Sequence, residues 1–134
     1  MALEVGLIGE LAITVQADDT AQASGGGNLP EVLSTPRLIS LLERTANASL
    51  KPYLAENQAS VGTLVNIRHL GATPLGMQVR FRSELLEIDR RRMRFKVEAW
   101  DEVEKVAEGE HERFIIDLPR FEERLETKRL AMKH

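Results

Sequence analysis

The run Thr35-Pro36-Arg37-Leu38-Ile39-Ser40-Leu41-Leu42-Glu43-Arg44-Thr45-Ala46-Asn47-Ala48-Ser49-Leu50 decides how this chain folds. Thr35 can cap free backbone N–H groups, and Pro36 fits the first helical position, where no hydrogen bond is lost. A helix is therefore predicted to start here and to stop near Leu50, ahead of Pro52. At 100° per residue, Leu38, Leu42, Thr45 and Ser49 form an inward stripe, and Ser40, Arg44, Asn47 and Lys51 face solvent. Glu43 belongs to neither stripe. Its neighbours one turn away are Ile39 and Ala46, so the carboxylate is expected to project from the apolar side.

Working outward, the segment before this helix holds one strand, Leu11 to Val15, in which large and small side chains alternate. Residues 17–34 have no period and include Gly25-Gly26-Gly27, so a flexible surface loop or a lid is predicted there. Four strand-like stretches follow the helix: Ser60 to Leu70, Gly76 to Ile88, Arg92 to Asp101 and Lys105 to Leu118. Their connections are too short for parallel crossovers, so the strands are expected to pair antiparallel. In the first of them Val61, Thr63, Val65, Ile67 and His69 are predicted to share one face, leaving an imidazole at the end of an apolar row. Residues 121–134 are heavily charged and read as a frayed helix or tail. The order strand, helix, four strands predicts an α+β layout, one curved antiparallel sheet around one long helix, as a single domain over residues 1–134. Such a sheet leaves an edge strand open, and pairing edges between two copies satisfies it, so a homodimer is expected.

Composition narrows the function. With 43% hydrophobic residues in 134, the chain can bury one core. The net charge is −3 with the signs interspersed, which disfavours nucleic acid as a partner. No apolar run is long enough to span a bilayer, and no signal-like start is present, so a cytoplasmic, non-membrane protein is expected. The absence of cysteine excludes thiolate nucleophiles and Cys-ligated zinc. A metal held by His69, His111 and Glu43 lacks the close two-histidine spacing of zinc hydrolases, and neither metal nor cofactor is predicted. Arg90, Arg91, Arg92 and Arg94 form a short basic patch, either a solvated hairpin or a contact for phosphates.

Three polar residues stand apart: Thr35, Glu43 and His69. Taken singly each has a plainer reading, as a helix cap, a carboxylate bent outward or paired with an arginine, and a hydrogen-bonded structural histidine. Their company is more telling. The Thr35-Pro36 helix start with Glu43 eight residues on, Ser60-Val61-Gly62-Thr63, Arg68-His69-Leu70, Ala72-Thr73-Pro74-Leu75-Gly76 and Gly109-Glu110-His111-Glu112-Arg113 together resemble the fluoroacetyl-CoA thioesterase-like family of hotdog proteins, from Ser34 to about Leu125. That resemblance implies a hotdog fold, an acyl-CoA substrate, coenzyme A entering only as part of it, catalytic roles for Thr35, Glu43 and His69, and an acyl pocket at Gly62. Arg113, on one face of the last strand with His111, is a further candidate for contact with substrate.

The residues make chemical sense for that reaction. A carboxylate can activate water or attack a thioester directly, a histidine can shuttle the proton, and backbone N–H groups at a helix start can hold the oxyanion. The fluoroacetyl-specific enzyme carries phenylalanines in the segment before its catalytic helix, whereas this chain has only Leu29 and Leu33 as large apolar residues near that place. A small acyl group is therefore expected without selectivity for fluorine. The competing expectations are a non-catalytic hotdog module that binds or senses acyl-CoA, and a purely structural dimerisation domain.

Overall fold

In the computed structural model, which describes residues 2–132, five antiparallel strands make one sheet in the order β1-β3-β4-β5-β2. The strands are β1 (Ile8–Thr14), β2 (Gln58–His69), β3 (Gln78–Asp89), β4 (Arg92–Asp101) and β5 (Lys105–Asp117). The helix α2 (Thr35–Leu50) lies across one face of the sheet and contacts β1, β2, β3 and β4. The α+β prediction holds. Leu38, Leu41, Leu42, Ala46 and Leu50 of α2 are fully buried against Val79, Phe81 and Leu85 of β3 and Met93, Phe95, Val97 and Ala99 of β4. Each such leucine contributes about 1.5–3 kcal/mol by leaving water. Ser40, Arg44, Asn47 and Lys51 are exposed as the helical period requires. A Cβ at Gly9 would lie 2.8 Å from the Thr45 carbonyl oxygen and 2.9 Å from Ser49 Cβ, so the missing side chain lets the helix settle onto β1.

Residues 17–34 are built differently from the predicted irregular loop. They contain a 3-10 turn, Ala17–Asp19, and a short helix α1, Ala21–Gly25. Isolated bridges Thr20↔Leu33 and Val32↔Pro74 tie the segment down. Its charged anchor is Asp19, whose Oδ1 accepts from Arg37 Nε of α2 at 2.8 Å. Leu33 is buried in the core. Local periodicity missed this segment because long-range bonds hold it.

The helix cap is also displaced by one residue. Ser34, in extended conformation, accepts from the Arg37 N–H with its hydroxyl at 3.2 Å, and Thr35 is already the first helical residue. The predicted capping role thus passes from Thr35 to Ser34. In β2 the register shifts between Gly62 and Leu64, with Gly62 opposite Arg113 and Leu64 opposite Glu112, so Thr63 is an extra residue in a bulge. The bulge splits the predicted row: Val65, Ile67 and His69 share their face with Ser60 and Gly62, not with Val61 and Thr63. The closing segment is a helix, α3 (Leu118–Leu130), which begins three residues before the predicted tail; residues 133 and 134 of that tail lie outside the described part. No helix among the described residues is long and apolar enough to cross a membrane.

Candidate active site

Shifting the cap to Ser34 releases the Thr35 hydroxyl. Its Oγ1 stands 2.8 Å from Nδ1 of His69, which is delivered by the last residue of β2. Burial lowers the pKa of His69 below the usual histidine value, against the opposing pull of the Gly71 backbone carbonyl, which favours the charged ring. The ring is therefore neutral at pH 7, and its Nδ1 can accept the threonine proton while Nε2 carries the ring hydrogen. Nε2 is buried and has no partner among the described residues. A buried donor without a partner costs free energy, which is tolerated where a reacting atom is to be bound.

Glu43 is not part of that pair within one chain. Eight residues separate it from Thr35 on α2, a rise of about 12 Å. Its Oε2 lies 3.5 Å from Nη1 of Arg113, and its side chain remains about one-third exposed (37%) in an open recess lined by Ser40, Arg44, Asn47 and Arg113. The expectation that it projects from the apolar side becomes a position at the border, with the carboxylate turned to a buried cation.

Arg113 is fixed from several directions. Nε donates to Ser60 Oγ at 2.7 Å, Nη2 donates to the Ser60 carbonyl at 2.8 Å, and Nη1 approaches His111 Nε2 at 3.1 Å. Because Arg113 can only donate, His111 accepts at Nε2 and donates from Nδ1 to the Leu64 carbonyl at 2.8 Å. Burial first, and then the Arg113 charge, lowers the His111 pKa against the Leu64 bond and the glutamates, which keeps this tautomer neutral. His111 thus serves the arginine and a backbone carbonyl. Ser60 Oγ in turn donates to Asn47 Oδ1 at 2.6 Å, returning to α2 one turn beyond Glu43. In the sequence Ser60 stood only within a motif and Asn47 only on the solvent-facing stripe; the four-residue spacing of Asn47 from Glu43 was the available signal of a shared role.

Gly62 completes this half of the site. A Cβ there would fall 2.7 Å from Glu43 Oε2 and 3.3 Å from His111 Cε1, so glycine leaves room directly beside the carboxylate. Among the described residues no three His, Asp or Glu side chains are grouped to hold a metal ion.

The chain has relatives of known chemistry. Residues 15–118 match the model of the fluoroacetyl-CoA-specific thioesterase family. This chain belongs to that family. The fluoroacetyl-CoA thioesterase of Streptantibioticus cattleyicolor is 34% identical over 99 residues, which cover 74% of this chain and 71% of that relative. A solved structure of a fluoroacetyl-CoA thioesterase superposes with a TM-score of 0.89 at 28% identity, covering 96% of this chain and 98% of the other. A hot-dog-like protein from Thermanaerovibrio acidaminovorans, at 24% identity, has a TM-score of 0.87 over 98% of this chain and 96% of its own and shares the fold. The fold is the hotdog fold, and like other members of the fluoroacetyl-CoA-specific thioesterase family the chain is a thioester hydrolase acting on acyl-CoA.

Proposed function

We propose that this protein hydrolyses a small acyl-CoA to the free acid and coenzyme A, using Thr35, Glu43 and His69. The observation that carries the reading is the 2.8 Å contact between Thr35 Oγ1 and His69 Nδ1 at the first turn of α2. Glu43 takes one proton of a water that attacks the thioester carbonyl, while His69 Nε2–H donates a hydrogen bond to the developing oxyanion; the tetrahedral oxyanion then collapses, the C–S bond breaks, and the proton held by Glu43 passes to the departing thiolate, which restores the carboxylate. Thr35 donates to Nδ1 and so holds the proton on Nε2, the nitrogen that serves the reacting carbonyl. A rival order, with Thr35 as nucleophile and His69 as its base, predicts an acyl group on Thr35, which mass spectrometry of a quenched reaction detects.

The gap of about 12 Å along α2 between Thr35 and Glu43 is closed if two copies associate through their β2 edges. Strand β2 is an edge strand of twelve residues, and Leu64 and Val65 at its centre are 45% and 42% exposed. Antiparallel pairing of two such edges buries them and brings the Thr35–His69 pair of one copy toward the Glu43 of the other. We therefore assign a homodimer with two composite sites. Val65→Asp should give a monomer in sedimentation and abolish turnover; a fully active monomer would refute the composite site.

The acyl group is kept small by His111, Arg113 and Glu43 crowding Gly62. Fluorine selectivity is not part of the assignment, since Leu33 of residues 17–34 is committed to the core and only Leu29 remains exposed there. No metal or cofactor is required, and a cytoplasmic setting suits a coenzyme A thioester. The test is free-thiol release from short, branched, aromatic and fluorinated acyl-CoAs by the wild type and by Glu43→Gln. Glu43-dependent release from the short acyl-CoAs is expected; silence across the panel with coenzyme A still bound would overturn the assignment in favour of a binding module.

A further inference from the structure

Of the four arginines at the β3–β4 hairpin, two are already committed. Arg92 pairs with Glu87, Asp89 and Glu112, and Arg94 with Glu87 and Glu110. Arg90 and Arg91 have no carboxylate partner among the described residues; Arg91 donates only to the Ile115 carbonyl, at 3.4 Å. The fold adds cations that the sequence keeps almost thirty positions away. Arg120 and Arg124, one turn apart on α3, line a groove with Arg91 over the rings of Phe114 and Phe121. An adjoining recess is lined by Asp89, Arg90, Arg91, Arg92 and the same Phe114. The two acids in these linings have other partners: Asp89 pairs with Arg92, and Asp117 accepts from Asn57 Nδ2 at 3.0 Å. Four guanidiniums with no carboxylate partner among the described residues therefore surround a partly exposed aromatic floor, on a protein whose net charge is −3.

We infer that this groove binds the phosphorylated adenosine end of coenzyme A, the purine on Phe114 and Phe121 and the phosphates between Arg90, Arg91, Arg120 and Arg124. Guanidinium forks match phosphate oxygens bidentately, and a flat purine stacks on an exposed aromatic ring. The surface also supplies a route for the pantetheine arm. The recess at Glu43 shares Asn47 with a second recess that runs to Gln58, and Gln58 pairs with Asp117, which lines the arginine groove. The inference rests on the acyl-CoA reading above but is tested apart from it.

The experiment titrates adenosine 3′,5′-bisphosphate into the full-length wild type, Arg120→Ala/Arg124→Ala and Arg120→Lys/Arg124→Lys by calorimetry, with thermal melts as a check on folding. In parallel, KM is measured for one hydrolysed acyl group carried on coenzyme A and on pantetheine. The alanine pair should weaken bisphosphate binding about tenfold, with lysine intermediate, and raise KM for the coenzyme A ester alone by a similar factor. Inorganic pyrophosphate competing as well as the bisphosphate would overturn the purine stack. Bisphosphate binding unchanged by the alanine pair, or KM rising equally for both esters, would overturn the site while leaving thioester hydrolysis intact. Binding that follows the arginines in a protein that hydrolyses no ester would uphold the groove and refute the catalytic assignment instead.

Discussion

Two polar groups line the same helix and are built on opposite terms. At the first turn of α2, Thr35 and His69 have each other, and the far nitrogen of the imidazole has no partner among the described residues. Two turns later, Arg113 is bonded to Ser60 twice and to His111, which is itself held by Leu64, while Asn47 holds Ser60. Glu43 hangs at the end of that network by a single contact of 3.5 Å. The difference teaches where hydrogen-bonding capacity is left over. The interior of the network is saturated and rigid, and the atoms with unspent capacity, His69 Nε2 and the Glu43 carboxylate, lie at the borders of the two groups.

The largest effect that sharpens this contrast is expected from the border residues. Glu43→Gln and Thr35→Ala should each lower kcat by roughly 10²- to 10⁴-fold with melting temperatures close to wild type, as measured by thiol release and calorimetry. Near-normal turnover in either variant would remove that residue from the mechanism. Next come two glycines. Gly62→Ala pushes only on the mobile end of Glu43 and on His111, so it should cost about tenfold or more in kcat and little stability. Gly9→Ala drives a methyl into the backbone of α2 and should instead cost about 1–3 kcal/mol in denaturant unfolding. Reversed outcomes would show that the site is at Gly9's end of the helix.

The pH response is a smaller effect. His69 and His111 both have pKa values depressed in the folded state, chiefly by burial, so the unfolded chain takes up protons first as pH falls. Their contribution to stability is whole above about pH 6.5, the unfolded value, and is lost as pH drops from there toward the folded values. Turnover should persist below pH 6.5, because His69 keeps there the neutral form that accepts from Thr35. A kcat profile that breaks at or above pH 7 would contradict a neutral, buried His69. Smallest of all, Ser34→Ala should lower stability by about 1 kcal/mol through the lost cap and spare kcat, one residue away from a position with the opposite profile.

Much of this was legible in the sequence. The helical period fixed the buried face of α2, and the polar hairpins set the strand ends to within a few residues, as Arg92–Asp101 shows. The candidates Thr35, Glu43, His69, Gly62 and Arg113 were all visible, though the structure joins them into two groups rather than one. What alternation could not reveal was the bulge at Thr63, since an extra residue changes facing without changing composition. Strict alternation places Val61 and Thr63 inward, whereas the shifted register gives Arg113 its Ser60 and Glu43 its Gly62. The order of residues 17–34 was equally hidden, because Asp19 meets Arg37 eighteen positions away and Val32 bridges to Pro74. Such bonds leave no periodic trace.

The separation of Thr35 from Glu43 along one helix has a consequence for how such an enzyme behaves as a population. If each site draws on two chains, specific activity is not a constant of the molecule but a function of how much of it there is. Dilution below the dissociation constant of the pair would silence hydrolysis without unfolding a single chain. Below that level hydrolysis would rise with the square of the amount of chain, and above it only in proportion.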